Sequence, residues 1–135
     1  MKKFFPLFVD IRNKKVLIIG YGNVAKRREE ILTGFGADVV IISPEINRKY
    51  RCGDIADTKP WFVIAATDDR KVNQAVAEEA ADLNIPVSVA DCSEECTCYF
   101  PAIAESDDYI AGIVSKNGDH KGVKHIAEKF CTIFS

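Results

Sequence analysis

The sequence has 135 residues, one domain's worth of chain and enough to bury a sizeable core without metal or disulfide staples. Hydrophobic residues make up 47% and charged residues 28%, ordinary globular usage that excludes a disordered tail, a collagenous fibre and a coiled coil. Lys and Arg number 18 against 20 Asp and Glu, a net charge of −2, so there is no global electrostatic case for binding nucleic acid or an anionic membrane.

The chain opens Met1-Lys2-Lys3-Phe4-Phe5-Pro6-Leu7-Phe8-Val9, with Asp10 and Arg12 close behind. The apolar run is short, Pro6 interrupts it and no small-residue cleavage site follows, so it reads as mature protein and not as a signal peptide. No stretch approaches the ~18 apolar residues of a membrane span. Cys52, Cys92, Cys96, Cys98 and Cys131 make an odd count. Free thiols in a reducing cytoplasm are the expectation.

Lys15 to Gly20 is a short apolar run ending in glycine, the pattern of a strand buried on both faces. A helix is predicted from Asn23 to Thr33, with Val24, Ile31, Leu32 and Phe35 on one face and Gly34 and Gly36 as its stop. Asp38 to Ser43 is a second buried strand, closed by Pro44. Glu45 to Pro60 is polar, with room for a short strand at Lys49–Cys52 and a helical turn at Asp54–Ala56. Trp61 to Ala66 is a third strand and Arg70 to Leu83 a helix whose inner face is Val72, Ala75, Val76, Ala80 and Leu83. Pro86 to Ala90 is the next strand. This alternation predicts a doubly wound, Rossmann-like α/β sheet.

After Asp91 the pattern changes. A cysteine-rich loop leads to two strands, Tyr99–Ala104 and Tyr109–Val114, joined by a turn at Asp107-Asp108. A short polar turn implies an antiparallel pair. The last helix carries Val123, Ile126, Ala127, Phe130, Cys131 and Phe134 on one stripe. Such a stripe needs a cover, and a second copy of the chain supplies one by two-fold symmetry. The expected division is residues 1–98 as a nucleotide-binding Rossmann domain and 99–135 as a dimerisation region of strand pair and helix.

The sharpest chemical signal is Gly20-Tyr21-Gly22-Asn23-Val24-Ala25, a G-x-G-x-x-A between a strand and a helix. The first glycine permits the turn, the second lets backbone approach a pyrophosphate, and the helix N-terminus faces the anion. Ser43-Pro44-Glu45 ends the second strand, where a carboxylate would meet the ribose hydroxyls of NAD. Lys26, Arg27 and Arg28 leave an NADP phosphate open as the alternative. Ala66 and Thr67 are candidates for the nicotinamide side, and Asp68 for a ligand or the cap of the following helix. Asp91 ends a strand on the same edge, in position either for general-base work or for starting a turn. Cys92, Cys96 and Cys98 form C-x3-C-x-C, without the paired spacing or nearby histidine of a zinc site, and no metal is expected.

Phe5-Pro6-Leu7-Phe8-Val9-Asp10, the Gly20–Ala25 turn, Ile64-Ala65-Ala66-Thr67-Asp68-Asp69 with Asn73, Val87–Asp91 and Phe100-Pro101-Ala102 occur in that order. In this ordered set the chain resembles the precorrin-2 dehydrogenase family, the N-terminal domain of siroheme synthases, from about Phe5 to Phe130. The resemblance implies NAD-dependent oxidation of precorrin-2 to sirohydrochlorin, with Asp91 as the essential aspartate and dinucleotide contacts at Gly22, Asn23, Val24, Pro44 and Glu45. It also implies a Rossmann domain followed by a dimerisation region. The family usually continues into a helical domain that helps enclose the tetrapyrrole, whereas this sequence stops at Ser135. A short form is therefore expected, and iron insertion, known in some members, is left unassigned. The alternatives are a non-catalytic NAD-binding regulatory domain and a tetrapyrrole carrier that kept the cofactor cleft.

Overall fold

A computed structural model of the chain describes residues 3–134, without the side chain of Phe134. The expectations that touch Met1, Lys2, Ser135 and the Phe134 side chain lie outside the described residues. Two compact units are present, Met1–Cys98 and Tyr99–Ser135.

The first unit is built on a four-stranded parallel sheet: β1 (Lys15–Ile19), β2 (Asp38–Ile42), β3 (Phe62–Ala65) and β4 (Val87–Val89), in the order β2-β1-β3-β4. Val16, Leu17, Ile18 and Ile19 of β1 are buried, as are Val63, Ile64 and Ala65 of β3. A continuous apolar strand is stable only with cover on both faces, and helices α1 (Asn23–Gly34) and α3 (Arg70–Asp82) follow β1 and β3. The register pairs Ile19 with Ile42 on one side and with Ala65 on the other. Because all four strands run parallel, the segments that follow them emerge at one edge.

The helices bury faces that share only Leu32, Val76 and Ala80 with those the periodicity suggested. In α1 the buried residues are Ala25 and Leu32, while Val24 and Phe35 are exposed. In α3 Val76 and Ala80 are buried as expected, joined by Asn73 and Ala77, while Ala75 and Leu83 face out. Small alanines dominate these faces because the helices lie close to the sheet, leaving larger side chains to the margins.

No strand forms at Lys49–Cys52. The helical turn expected at Asp54–Ala56 does form, as α2 (Asp54–Thr58), and closes the crossover, held by polar groups. The Glu79 carboxylate accepts from the backbone N–H of Gly53, Ile55 and Ala56, each at 3.1 Å, and from the Tyr50 hydroxyl. Arg48 donates two 2.8 Å bonds to the buried Asp54. A side-chain anion thus caps a five-residue helix too short to stand alone.

The second unit pairs β5 (Ala102–Glu105) with β6 (Ile110–Ile113) in antiparallel register, Ala102 opposite Ile113 and Glu105 opposite Ile110. Ser106 closes the turn: its N–H donates to the Tyr109 carbonyl at 2.9 Å, and its hydroxyl accepts from the Tyr109 N–H at 3.1 Å. Helix α4 (His120–Phe134) packs on this pair, and the Asp119 carboxylate caps it by accepting from the Gly122 N–H at 2.9 Å. Ala104 and Ala127 are the buried hydrophobic residues of this unit among those described. In the expected stripe of α4, Val123 and Phe130 are half-buried while Ile126 and Cys131 are exposed.

Candidate functional site

The carboxyl edge of the parallel sheet assembles the site. At the centre, β1 runs into Gly20-Tyr21-Gly22 and then α1. Gly20 has φ +110°, and a Cβ there would stand 2.3 Å from the Ala66 carbonyl oxygen. Its glycine is therefore a requirement of packing against the end of β3. Gly22 is different. It is the N-cap of α1 at φ −79°, a Cβ there meets nothing within 4 Å, and no side chain caps the first turn. Backbone N–H groups of Asn23, Val24 and Ala25 thus begin the helix without a side-chain acceptor, facing open space where an anion fits. These residues suit a dinucleotide pyrophosphate. Val24, half exposed, belongs to this opening and not to the core.

On one side of β1 lies the end of β2. Ser43 is buried, and its hydroxyl donates to the Glu45 carboxylate and accepts from the Glu45 N–H at 3.2 Å. Asn47 completes the turn, accepting from the Ser43 N–H at 3.0 Å. The Ser43 hydroxyl holds the Glu45 carboxyl below its ordinary pKa, and the nearby Lys26 ammonium adds to this. Ser43 is thus a brace, while Glu45 with Pro44 is exposed at the edge where a ribose would lie. Of the three cations of α1, Lys26 and Arg27 are exposed, whereas Arg28 is half-buried and turns toward Ser88 of β4. Burial pushes its pKa down.

On the other side of β1 lies the end of β3. The order β2-β1-β3 places the β1–β3 boundary at the point where the chain reverses direction across the sheet, where open α/β sheets bind their ligands. Ala66 is buried here and Thr67 half-buried. Thr67 is fixed by Asn73, a residue wholly removed from solvent. The Asn73 side chain accepts from the Thr67 N–H at 3.1 Å and the Thr67 hydroxyl at 2.6 Å, and donates to the Thr67 carbonyl at 3.0 Å. The cap of α3 is Asp69, whose carboxylate accepts from the Lys71 N–H at 2.9 Å. The cap expected of Asp68 therefore falls one residue later, and Asp68 is left exposed.

The outermost strand, β4, delivers Asp91. Its Oδ1 accepts from Arg70 Nη1 at 2.7 Å, and the other arm of the same guanidinium bonds Glu95. The sequence reading missed both Arg70 and Glu95. The available signal was a lone arginine at the first turn of a helix on the ligand edge, opposite an acid-bearing loop. Across the sheet, Glu45 and Asp91 follow strands three inter-strand steps apart, roughly 14 Å. Of the three loop cysteines, Cys96 is buried, accepting from the Val89 N–H at 3.1 Å. Burial pushes the Cys98 thiol up to about 11. Among the described residues no three His, Cys, Asp or Glu side chains are grouped to hold a metal ion.

Residues 7–102 match a family model described as "Putative NAD(P)-binding". The chain is 44% identical over 93% of its length to a "Probable multifunctional siroheme biosynthesis protein HemA" of Ruminiclostridium josui, of which it covers 27%. It is 35% identical over 84% of its length to a siroheme synthase of Psychrobacter arcticus, of which it covers 23%. The chain thus spans about a quarter of the length of these curated relatives. A solved structure titled "SirC, precorrin-2 dehydrogenase" superposes with a TM-score of 0.72 at 20% identity, covering 98% of this chain and 72% of that one, which shows a shared fold. The matched segment contains the glycine turn, Glu45, Thr67 and Asp91, and on these findings the chain belongs to the family described as putative NAD(P)-binding, a stretch of which siroheme synthases also carry.

Proposed function

We propose that the chain oxidises precorrin-2 to sirohydrochlorin with NAD as the hydride acceptor, a step of siroheme biosynthesis. One observation carries the reading. A glycine turn open to a pyrophosphate and the Asp91 carboxylate share one sheet edge, with β3 between their strands. The relatives named for siroheme synthesis and the fold shared with a precorrin-2 dehydrogenase support it. Gly22, Asn23 and Val24 would hold the pyrophosphate, Pro44 and Glu45 the adenosine ribose, and Ala66 and Thr67 the nicotinamide side. Glu45 favours NAD over NADP, because a 2′-phosphate would meet its carboxylate.

When bound, NAD supplies a two-electron acceptor: the substrate gives up a hydride, which makes NADH, and a proton, which leaves one new double bond. Asp91 takes that proton on a carboxylate oxygen and passes it to water. The Asn73 lock keeps Thr67 and the end of β3 in one conformation, so the reacting carbon meets a rigid edge. The test is NADH formation from precorrin-2 by the wild-type chain and by Asp91→Asn. Turnover lost in the variant, with NAD binding retained, supports the role. NAD binding without turnover in the wild type would favour the regulatory or carrier reading.

We also propose a homodimer through the second unit. That unit has a thin core, yet exposes Ile110, Val114, Ile126 and Ile133, the last 72% accessible. Units this small seldom stand on their own core, and a second copy is the cover that repeats its own chemistry. The five cysteines are free thiols, in keeping with a cytoplasmic setting.

A further inference from the structure

We propose that Arg70 is a positioning residue for Asp91, and that Glu95 holds Arg70 in place. The proposal rests on the reading of Asp91 as proton acceptor. Arg70 is the first residue of α3, and its guanidinium crosses to the segment after β4. One arm donates to Asp91 Oδ1 at 2.7 Å and the other to Glu95 Oε1. Among the described residues Arg70 is the hydrogen-bond partner of the Asp91 side chain. Both carboxylates that hold this fork come from the segment after β4.

The chemistry follows from the fork. Aspartate at a turn has two free side-chain torsions, and a single guanidinium bond at Oδ1 removes much of that freedom. Oδ2 then remains to take the proton. A second carboxylate, Glu95, on the other arm fixes the plane of the guanidinium, so the arm that meets Asp91 is itself held in place. The planar fork suits this bridging, which an ammonium group cannot reproduce.

The experiment reads kcat and the KM for NAD in NADH formation from precorrin-2, with NAD binding measured separately by titration calorimetry. Arg70→Gln should lower kcat about tenfold to a hundredfold and leave the KM for NAD unchanged. Glu95→Gln should lower kcat by less, because Arg70 keeps its bond to Asp91 and loses only its second anchor. Arg70→Lys should restore only part of kcat, because an ammonium group cannot bridge the two carboxylates in one plane. If the wild type turns over and Arg70→Gln and Glu95→Gln, both folded, match it in kcat, or if Arg70→Gln raises the KM for NAD in step with its loss of kcat, the positioning role is overturned. If the wild type forms no NADH, the dehydrogenase reading fails and the proposal falls with it.

Discussion

Gly20 and Gly22 belong to one motif but should fail in opposite ways. An alanine at Gly20 must hold φ +110°, and its Cβ would lie 2.3 Å from the Ala66 carbonyl oxygen, 2.7 Å from the Ala66 carbonyl carbon and 3.0 Å from the Thr67 nitrogen. Backbone of a central strand cannot move aside as a side-chain tip can. Strain of this kind costs ~1–3 kcal/mol and overpacking a further ~1–3 kcal/mol. Gly20→Ala should therefore remove about 2–6 kcal/mol, a large part of the ~5–15 kcal/mol that holds a domain together. At Gly22, φ is −79° and the Cβ direction is open. Aspartate there is a good N-cap, so Gly22→Asp should leave stability unchanged or raise it by a few tenths of a kcal/mol. The same carboxylate would stand against the pyrophosphate, and two like charges ~4 Å apart at an effective dielectric near 20 repel by about 4 kcal/mol before salt screening. A loss of NAD affinity of about thirtyfold or more is expected. Thermal melts followed by circular dichroism and titration calorimetry with NAD separate the two outcomes. A folded Gly22→Asp with wild-type affinity, or a Gly20→Ala that melts with the wild type, would refute the division of roles.

Asp91→Asn should keep NAD binding and lower dehydrogenation by about 10²–10⁴, as read by NADH formation under saturating cofactor. The Arg48 pair holds the Asp54 carboxyl below its ordinary value. Its stabilisation is present above the unfolded pKa and is lost as pH falls through the lower folded one, from about pH 4 downward. Arg48→Met should melt earlier at neutral pH and lose that acid dependence, which melts across an acid series would show. Iodoacetamide should label the exposed Cys52 before Cys98, whose thiol burial raises to about 11, and before the buried Cys96. Peptide mass spectrometry of the native protein gives the order. Ile126→Asp should shift the chain from dimer to monomer by light scattering, and a wild type monomeric at micromolar concentration would exclude the dimer.

What the sequence revealed best was what period and punctuation control. The β1 run ending at Gly20 and the β3 run ending at Ala66 announced a parallel sheet because only cover on both faces explains unbroken apolar strands. From that follows the shared edge that gathers Gly22, Glu45, Thr67 and Asp91. The helix faces were harder, since alanine signals neither inside nor outside, and Ala25 and Ala77 form the buried contacts where Val24 and Leu83 had looked the better candidates. Asn73 was quoted only as part of a motif. Nothing in its spacing says that a polar side chain will be wholly buried to lock Thr67. In the crossover before β3 the expected helical turn at Asp54–Ala56 forms, as α2, but the strand expected at Lys49–Cys52 does not: the segment is fixed by Glu79, a residue far along the chain, and no local pattern carries such a contact. Arg70 escaped notice because an arginine in a helix's first turn runs against the dipole preference for acids there, and its partner Asp91 lies far along the chain.

The most direct measurement is a single-turnover mixture of the chain, precorrin-2 and NAD, following tetrapyrrole and nicotinamide absorbance together. The account predicts sirohydrochlorin and NADH appearing at the same rate and in equal amounts, with both signals abolished by Gly22→Asp. A tetrapyrrole spectrum that stays unchanged while NAD is demonstrably bound would contradict it.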